Sequence, residues 1–481
     1  MTTRFEHVRR ERAIVCAVAV ALVLLRSFVA TYYEGFYFDS DQAIVGLMAR
    51  HLSRFHHFPL FYYSLNYLLA VQAWIIAPFF LVARSSVAVM RLPIVALNAG
   101  VAVALISMLS SELRLRPALA FVAALPFVMP SAGAAYQLLE VAGASVEPLS
   151  YVLALWWLRR RPIAFGVLLA IGYLHREFTI FALPALILVE WRDWLERVRT
   201  DRRYIASLLG GFVSVWILAG VLKASAAPGG IGLQVASLRG QMCLDWASVK
   251  ANVQALVAEA LPALFGLQPL PLSALRMTTP VVAGSFAVGY IVFAGLIVML
   301  TRFLRHRAVP AFAGYLILVG VFTAGVYPLS CQVMLHAPPL FRYLLLCLFI
   351  PVGLIGMFLA GETSRVMRAI VAGVVLVWSA ANLADTVRVM RTAVADPPLN
   401  EHRALVDYLL SHRVRYARAI YWDAYVVDFL SRERVITAST DVVRIPEYQE
   451  EVDAHAPDAV MLQRMPCEGT ERVASWCVQK P

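Results

Sequence analysis

Charge is scarce in this sequence. Asp, Glu, Lys and Arg supply 15% of its 481 residues, against about 25% in soluble proteins. Hydrophobic residues supply 60%, and the mean hydropathy is +0.70. The apolar residues recur in segments along the chain, which excludes a soluble enzyme with a single anchor and points to a polytopic membrane protein. No nucleic-acid-binding motif is present. The net charge of +11 comes from arginines between apolar segments, so it is read as cytoplasmic-loop bias, with no nucleic acid as partner. No CxxC occurs among the six cysteines. Cys16 and Cys347 sit in apolar runs as packing residues, Cys243, Cys331, Cys467 and Cys477 fall outside the expected spans, and Cys467 with Cys477 is a candidate disulfide. The N-terminal run lacks a small-residue cleavage site and carries Arg26 near its far end, so it reads as a retained signal-anchor. No fixed-period repeat or low-complexity tract stands out.

The spans can be counted from hydropathy and arginine placement. Span 1 covers about residues 13–31, and Arg9, Arg10 and Arg12 before it place the N-terminus in the cytoplasm. The apolar segment 68–83 is short for a span and reads as an interfacial helix in the first outer loop. Spans 2 to 4 (about 91–110, 117–134 and 143–158) then bring Arg114, Arg116 and Arg159-Arg160-Arg161 to the cytoplasm. Two short apolar runs, 163–174 and 178–191, flank His175-Arg176-Glu177, suggesting a site sunk below the outer surface. The plainer alternative is an ordinary outer loop. Further spans are read at about 205–222, 279–300, 310–328, from Arg342 to before Arg365, and at 367–385, with a second interfacial helix at 251–267. The fold class is thus an all-α polytopic membrane protein of about eleven spans, residues 1–390, followed by residues 391–481 outside the membrane. That tail reads as helix (402–411), strand (418–422), helix (424–431), strand (433–437) and strand (458–463), a small α/β domain.

Chemistry is expected at Phe38-Asp39-Ser40-Asp41-Gln42, just outside span 1. In an extended segment side chains two apart face the same way, so Asp39 and Asp41 could share a site. Two close carboxylates can hold a cation, act as an acid or base, or simply form a solvated turn. A nucleotide-sugar Asp-x-Asp metal motif is disfavoured, because this loop faces away from cytosolic nucleotides.

Asp41-Gln42 and Gly46-Leu47-Met48-Ala49-Arg50 resemble the first outer loop of GT-C glycosyltransferases, the polyprenyl-phosphate-sugar enzymes related to protein O-mannosyltransferases and aminoarabinose transferases. Phe61 to Tyr67, Arg91-Leu92-Pro93, Gly172 to Pro184, Phe341-Arg342-Tyr343, Tyr421 to Tyr425 and Phe429 to Arg434 extend the resemblance over most of the chain. It implies a glycosyltransferase in the cell (inner) membrane, with the C-terminal domain extracytoplasmic. A sugar would pass from a polyprenyl-phosphate carrier to a hydroxyl of a glycan, lipid or protein, with inversion and no cofactor or metal. Asp41 takes the role of general base, with Asp39 second. Arg176, Arg342 and His336 are the candidates for the donor phosphate, since guanidinium binds phosphate through paired hydrogen bonds. Arg50, Tyr62, Tyr63, Asn66 and Glu177 are candidates for substrate contact. Gln42 and Gln72 depart from the pattern, standing where many members carry acids. The alternatives are a lipid or solute transporter, for which the inverted repeats are lacking, and an inactive scaffold of the same fold.

Overall fold

The computed structural model describes residues 2–226, 242–267, 295, 309–331, 341–467 and 471–479. The expected span at 279–300, His336 and much of the outer segment 223–278 lie outside the described residues.

The chain is mostly helical. Helix α1 (Thr2–Tyr32) is continuous through Arg26, whose guanidinium is buried and donates to Phe127 O and Asn98 Oδ1, both at 2.8 Å. The first connecting segment folds into helix α2 (Ser40–Ser53), a short hairpin of β1 (Phe61–Tyr62) and β2 (Leu65–Leu69), and helix α3 (Val71–Val82). The bundle continues with α4 (Val87–Glu112), α5 (Pro117–Val128), α6 (Ala132–Gln137), α7 (Glu147–Leu158) and α8 (Pro162–His175). A 3-10 turn (Glu177–Phe181) follows, then α9 (Ala182–Val189), α10 (Trp191–Thr200) and α11 (Arg202–Ala226). The helices Trp246–Ala255, Leu261–Phe265, Ala311–Val326, Phe349–Gly361 and Arg365–Ala395 complete it. Among the described residues six helices are long and apolar enough to cross a bilayer, and four more apolar helices are shorter. The other spans read from the sequence overlap helices here, but 117–134 is broken between α5 and α6, and 178–191 is divided between the 3-10 turn and α9.

Residues 39–41 do not form the extended run that alternation requires: only Asp39 is extended, and the helix begins at Ser40. Asp39 is the N-cap of α2, its carboxylate accepting from the Gln42 backbone N–H at 3.1 Å, and Asp41 stands in the first helical turn. Two carboxylates on one side of a strand are therefore replaced by one cap and one acid in the first helical turn. Negative charge in the first turn and Arg50 and His51 in the last both suit the helix dipole. The turn before α2 is held by Arg91, which donates to the carbonyls of Ala30, Phe36 and Tyr37 and to Gln42 Oε1. Those bonds stabilise Tyr37 at φ 52°, a left-handed backbone that a non-glycine residue seldom adopts.

The C-terminal region folds as helices on a five-stranded sheet. Helix Glu401–Ser411 leads to β3 (Tyr416–Ala419), helix Tyr421–Ser431, β4 (Ile436–Ser439), helix Pro446–Ala454, β5 (Val460–Arg464) and the hairpin β6 (Glu471–Val473) with β7 (Trp476–Gln479). The strand order is β4-β3-β5-β7-β6; β3 is parallel to β4 and β5, and β7 antiparallel to β5 and β6. Tyr421 and Trp422 open a helix rather than close a strand as the sequence suggested, and helix Pro446–Ala454 and the last hairpin were not anticipated. Cys467 pairs with Cys477, as expected, and Cys243 pairs with Cys331.

Helix α2 lies against helix Tyr421–Ser431. Gly46 allows the close approach, since a Cβ there would fall 2.5 Å from the Phe429 ring. This contact places the C-terminal region at the end of the bundle where α1 finishes and α4 begins. At the opposite end Arg159 joins Glu112 and Glu190, Tyr204 OH donates to Arg159 O, and Glu11 accepts from the Ala118 N–H.

Candidate active site

The break after α8 brings one arginine inward. Arg176 is extended at φ −154°, ψ 125°, between α8 and the 3-10 turn. The preceding His175 is buried and bonded to Tyr151 OH at 2.9 Å and Gly143 O at 2.5 Å. Gly143, at φ +102°, carries the 140–147 loop past Arg176: a Cβ there would lie 3.3 Å from Nη2. The loop is tied to α3 by Gln72, which donates to Glu147 Oε1 and accepts from the Gly143 N–H, both at 2.8 Å. An ionised acid at 72 could accept but not donate, and would face the Glu147 carboxylate. Gln42 likewise donates to Tyr37 O at 2.6 Å while accepting from Arg91. Both departures from the acidic pattern thus have structural work that a carboxylate could not do.

Asp41, Tyr62, Arg176, Glu177, Arg342 and Tyr343 line one cavity of about 360 Å³, together with Arg444 from the C-terminal region. Its remaining wall is largely apolar, including Leu65, Leu68, Phe178, Ile180, Phe181 and Val326. Asp41 Oδ1 accepts from Tyr421 OH at 2.5 Å, and its backbone carbonyl accepts from Tyr62 OH at 2.9 Å. The other carboxylate oxygen stands 3.8 Å from Arg342 Nη1, an ion contact too long for a hydrogen bond. Arg342 makes its closer contact, 3.2 Å, with Glu140. Arg176 and Arg342 both lie over the Tyr343 ring, at 5.9 and 5.3 Å.

Glu140 is buried, and burial, reinforced by Asp39 and Asp41 and opposed by Arg342, pushes its carboxyl up to about 7. Arg342 Nε and Glu140 Oε2 are buried with no hydrogen-bond partner among the described residues. Arg342 is therefore only partly satisfied by protein groups and keeps donor capacity.

The site unites Asp41, Tyr62, Arg176, Glu177 and Arg342 from the sequence expectation. It does not gather the rest. Asp39 caps α2. Arg50, 1% exposed, turns to the C-terminal region, donating to Phe429 O at 2.8 Å and Ser85 Oγ at 3.0 Å and pairing with Glu433 at 3.4 Å. Tyr63 bonds to His51 rather than reaching the cavity. Asn66 lies in β2 with its side chain outside the described residues, as is His336 entirely. Glu140, Tyr343, Tyr421 and Arg444 were missed. Tyr421 opened a stretch quoted for its resemblance, but it was read as strand; nothing local marks Glu140 or Arg444.

No family model matches the chain, and no curated protein sequence matches it. Solved structures do. ArnT from Cupriavidus metallidurans bound to undecaprenyl phosphate is 13% identical, with a TM-score of 0.57 over 97% of each chain. The apo form of that ArnT is 12% identical at 0.58, again over 97% of each chain. The Archaeoglobus fulgidus oligosaccharyltransferase in the apo form is 12% identical at 0.54, over 94% of this chain and 69% of its own. At such identities the likeness is one of fold: this chain has the GT-C fold, the one implied by the resemblance in its first loop. With its six long apolar helices, it is a multi-pass membrane protein.

Proposed function

We propose that the protein is an inverting glycosyltransferase that moves a sugar from a polyprenyl-phosphate carrier to an acceptor hydroxyl on the outer face of the membrane. The observation that carries this reading is the single cavity in which Asp41 meets Arg176 and Arg342. The fold shared with ArnT, solved with undecaprenyl phosphate, supports a lipid-phosphate donor.

The chemistry divides among named groups. The donor is activated, because phosphate is its leaving group. Guanidinium groups offset the charge that grows on that phosphate as the glycosidic bond breaks. Arg176 and Arg342 fill this role. At about 360 Å³ the cavity suits a sugar-phosphate headgroup, so the prenyl tail lies along the bundle surface beyond the apolar wall. A phosphate would compete with Asp41 and Glu140 for Arg342, and winning it would release the Asp41 carboxylate for the acceptor. Oδ1 is held by Tyr421, so Oδ2 accepts the acceptor's proton as its oxygen attacks the anomeric carbon.

Two further observations support an orientation. The arginine-rich connections at Arg114, Arg116 and Arg159 to Arg161 share the end of the bundle opposite the site, as cytoplasmic loops should. The disulfides Cys243–Cys331 and Cys467–Cys477 are at the site end, as an oxidising compartment would favour. We therefore assign about eleven spans, a cytoplasmic N-terminus, and an extracytoplasmic C-terminal domain from about residue 391.

The test is transfer of labelled sugar from a polyprenyl-phosphate donor by membranes carrying wild type or Asp41→Asn. Loss of about 10²-fold or more is expected on removing a general base. Equal transfer by both would remove Asp41 from the role.

A further inference from the structure

A second concavity, about 1470 Å³, runs between residues 51–64 of the first connecting segment and the C-terminal region. It shares Tyr62 and Arg444 with the catalytic cavity, so the two are contiguous beside Asp41. We propose that this groove binds the acceptor, and that the acceptor is a neutral glycan chain. The proposal rests on the transferase reading and adds the acceptor's class to it.

Four features of the groove carry the choice. Its volume exceeds the roughly 300–1,000 Å³ of a small-molecule site, which suits a chain rather than a single small molecule. Neither charge sign dominates: Glu433, Glu447 and Glu451 line it together with Arg415 and Arg444. A polyanion would meet three carboxylates there, and an acyl chain would desolvate them all. Aromatic faces stand among these polar groups. Phe58 is 69% exposed and Trp74 39% exposed, available to stack on the apolar faces of sugar rings. His57 and Glu447, both exposed, supply planar polar groups that can hydrogen-bond neighbouring hydroxyls.

The floor is preformed. His51 bridges Tyr63 OH at 2.8 Å and Glu433 Oε1 at 2.7 Å, and Tyr448 OH donates to the same oxygen at 2.8 Å. An extended peptide, the other acceptor class able to fill such a groove, would need a strand edge. The strand residues lining the groove are Ile436 of β4, every residue of which is buried, and Phe61 and Tyr62, which are the whole of β1, a strand too short to template another. A hydroxyl at the end of a glycan lying in the groove would pass Tyr62 to reach Asp41.

The experiment uses the full-length protein in lipid nanodiscs, wild type and Asp41→Asn. Each is applied to an array of neutral linear oligosaccharides, Ser/Thr-containing peptides and anionic polysaccharides. Retention on neutral oligosaccharides is expected for both, weakened at least tenfold by His57→Ala combined with Glu447→Ala. Thermal stabilisation by undecaprenyl phosphate should be the same in that double variant as in wild type. Retention only on peptides or only on polyanions overturns the proposal, as does oligosaccharide retention that the double variant leaves unchanged. If Asp41→Asn transfers sugar normally, the catalytic reading fails while the groove's ligand is judged by binding alone.

Discussion

The two ends of α2 meet the same partner helix in different ways. At the C-terminal end Arg50, His51 and Arg54 close around Glu433, at 3.4, 2.7 and 3.2 Å. Burial alone would raise that carboxyl, yet hydrogen bonds from His51 and Tyr448 and the charges of His51 and Arg50 hold it at about 2. At the N-terminal end Asp41 receives one hydroxyl, from Tyr421, and keeps its second oxygen toward the cavity and a cation 3.8 Å away. The first carboxylate has donors on both oxygens and anchors one region to the other. The second is held on one side and open to the cavity on the other. Two acids a few turns apart thus differ in what remains for them to bind.

Five substitutions can break or sharpen that contrast. The largest expected effect is that of Asp41→Asn, which should abolish transfer by about 10²-fold or more while leaving the melting temperature near wild type. Arg342→Gln should come next, lowering transfer roughly 10–100-fold with weakened capture of undecaprenyl phosphate, read by titration against thermal stability. Retained affinity with lost turnover would instead confine Arg342 to the transition state.

Glu433→Gln should act on stability rather than chemistry, at a cost of about 2–3 kcal/mol read by denaturation or by proteolysis of the C-terminal region. Its pH signature has a definite sign. Because the folded-state value is depressed, the stabilisation is fully present above the ordinary glutamate range. It is lost as pH falls from there toward about 2. The wild type should loosen through that window and the variant should not. Glu140 has the opposite sign: it is raised to about 7, so the folded state holds its proton longer and stability declines as pH rises from the ordinary range through 7. Glu140→Gln should flatten that limb.

The smallest effect is expected from Tyr421→Phe. The Asp41 carboxylate loses the donor that fixes Oδ1, so a few-fold loss of kcat is expected with KM little changed. The backbone carbonyl of Tyr421 would still accept from Ser40 Oγ, at 2.6 Å in wild type, so docking should persist. An unchanged kcat would show that the tyrosine only packs.

Much of this frame was legible before any coordinates. Long apolar runs and arginine clusters located the helices, because the period and length of such runs are fixed by burial. Asp41 was legible too, as an acid just past the first apolar run. The start of α2 could have been found: Asp39 followed three residues later by Gln42 is an N-terminal capping pattern, and the Gln42 N–H does bond to Asp39. Alternation was weighed in its place, and the two acids were put on one side. The partners of Asp41 and Arg50 could not be read locally. Tyr421 and Glu433 are 380 and 383 residues away in sequence, and only packing of α2 against a distant helix brings them near. Arg50 was assigned to substrate by its spacing from Asp41, but nine residues along a helix carried it to the other end of the contact.

One hydrogen atom controls how closely those helices approach. A methyl group at Gly46 would press on the Phe429 ring and on Met90 Sδ, wedging the C-terminal region off the bundle. The displacement would be felt a turn and a half away, where Tyr421 reaches for its carboxylate. An alanine at position 46 should therefore slow the proposed transfer without altering a single polar group, as a spacer set too thick throws a mechanism out of alignment.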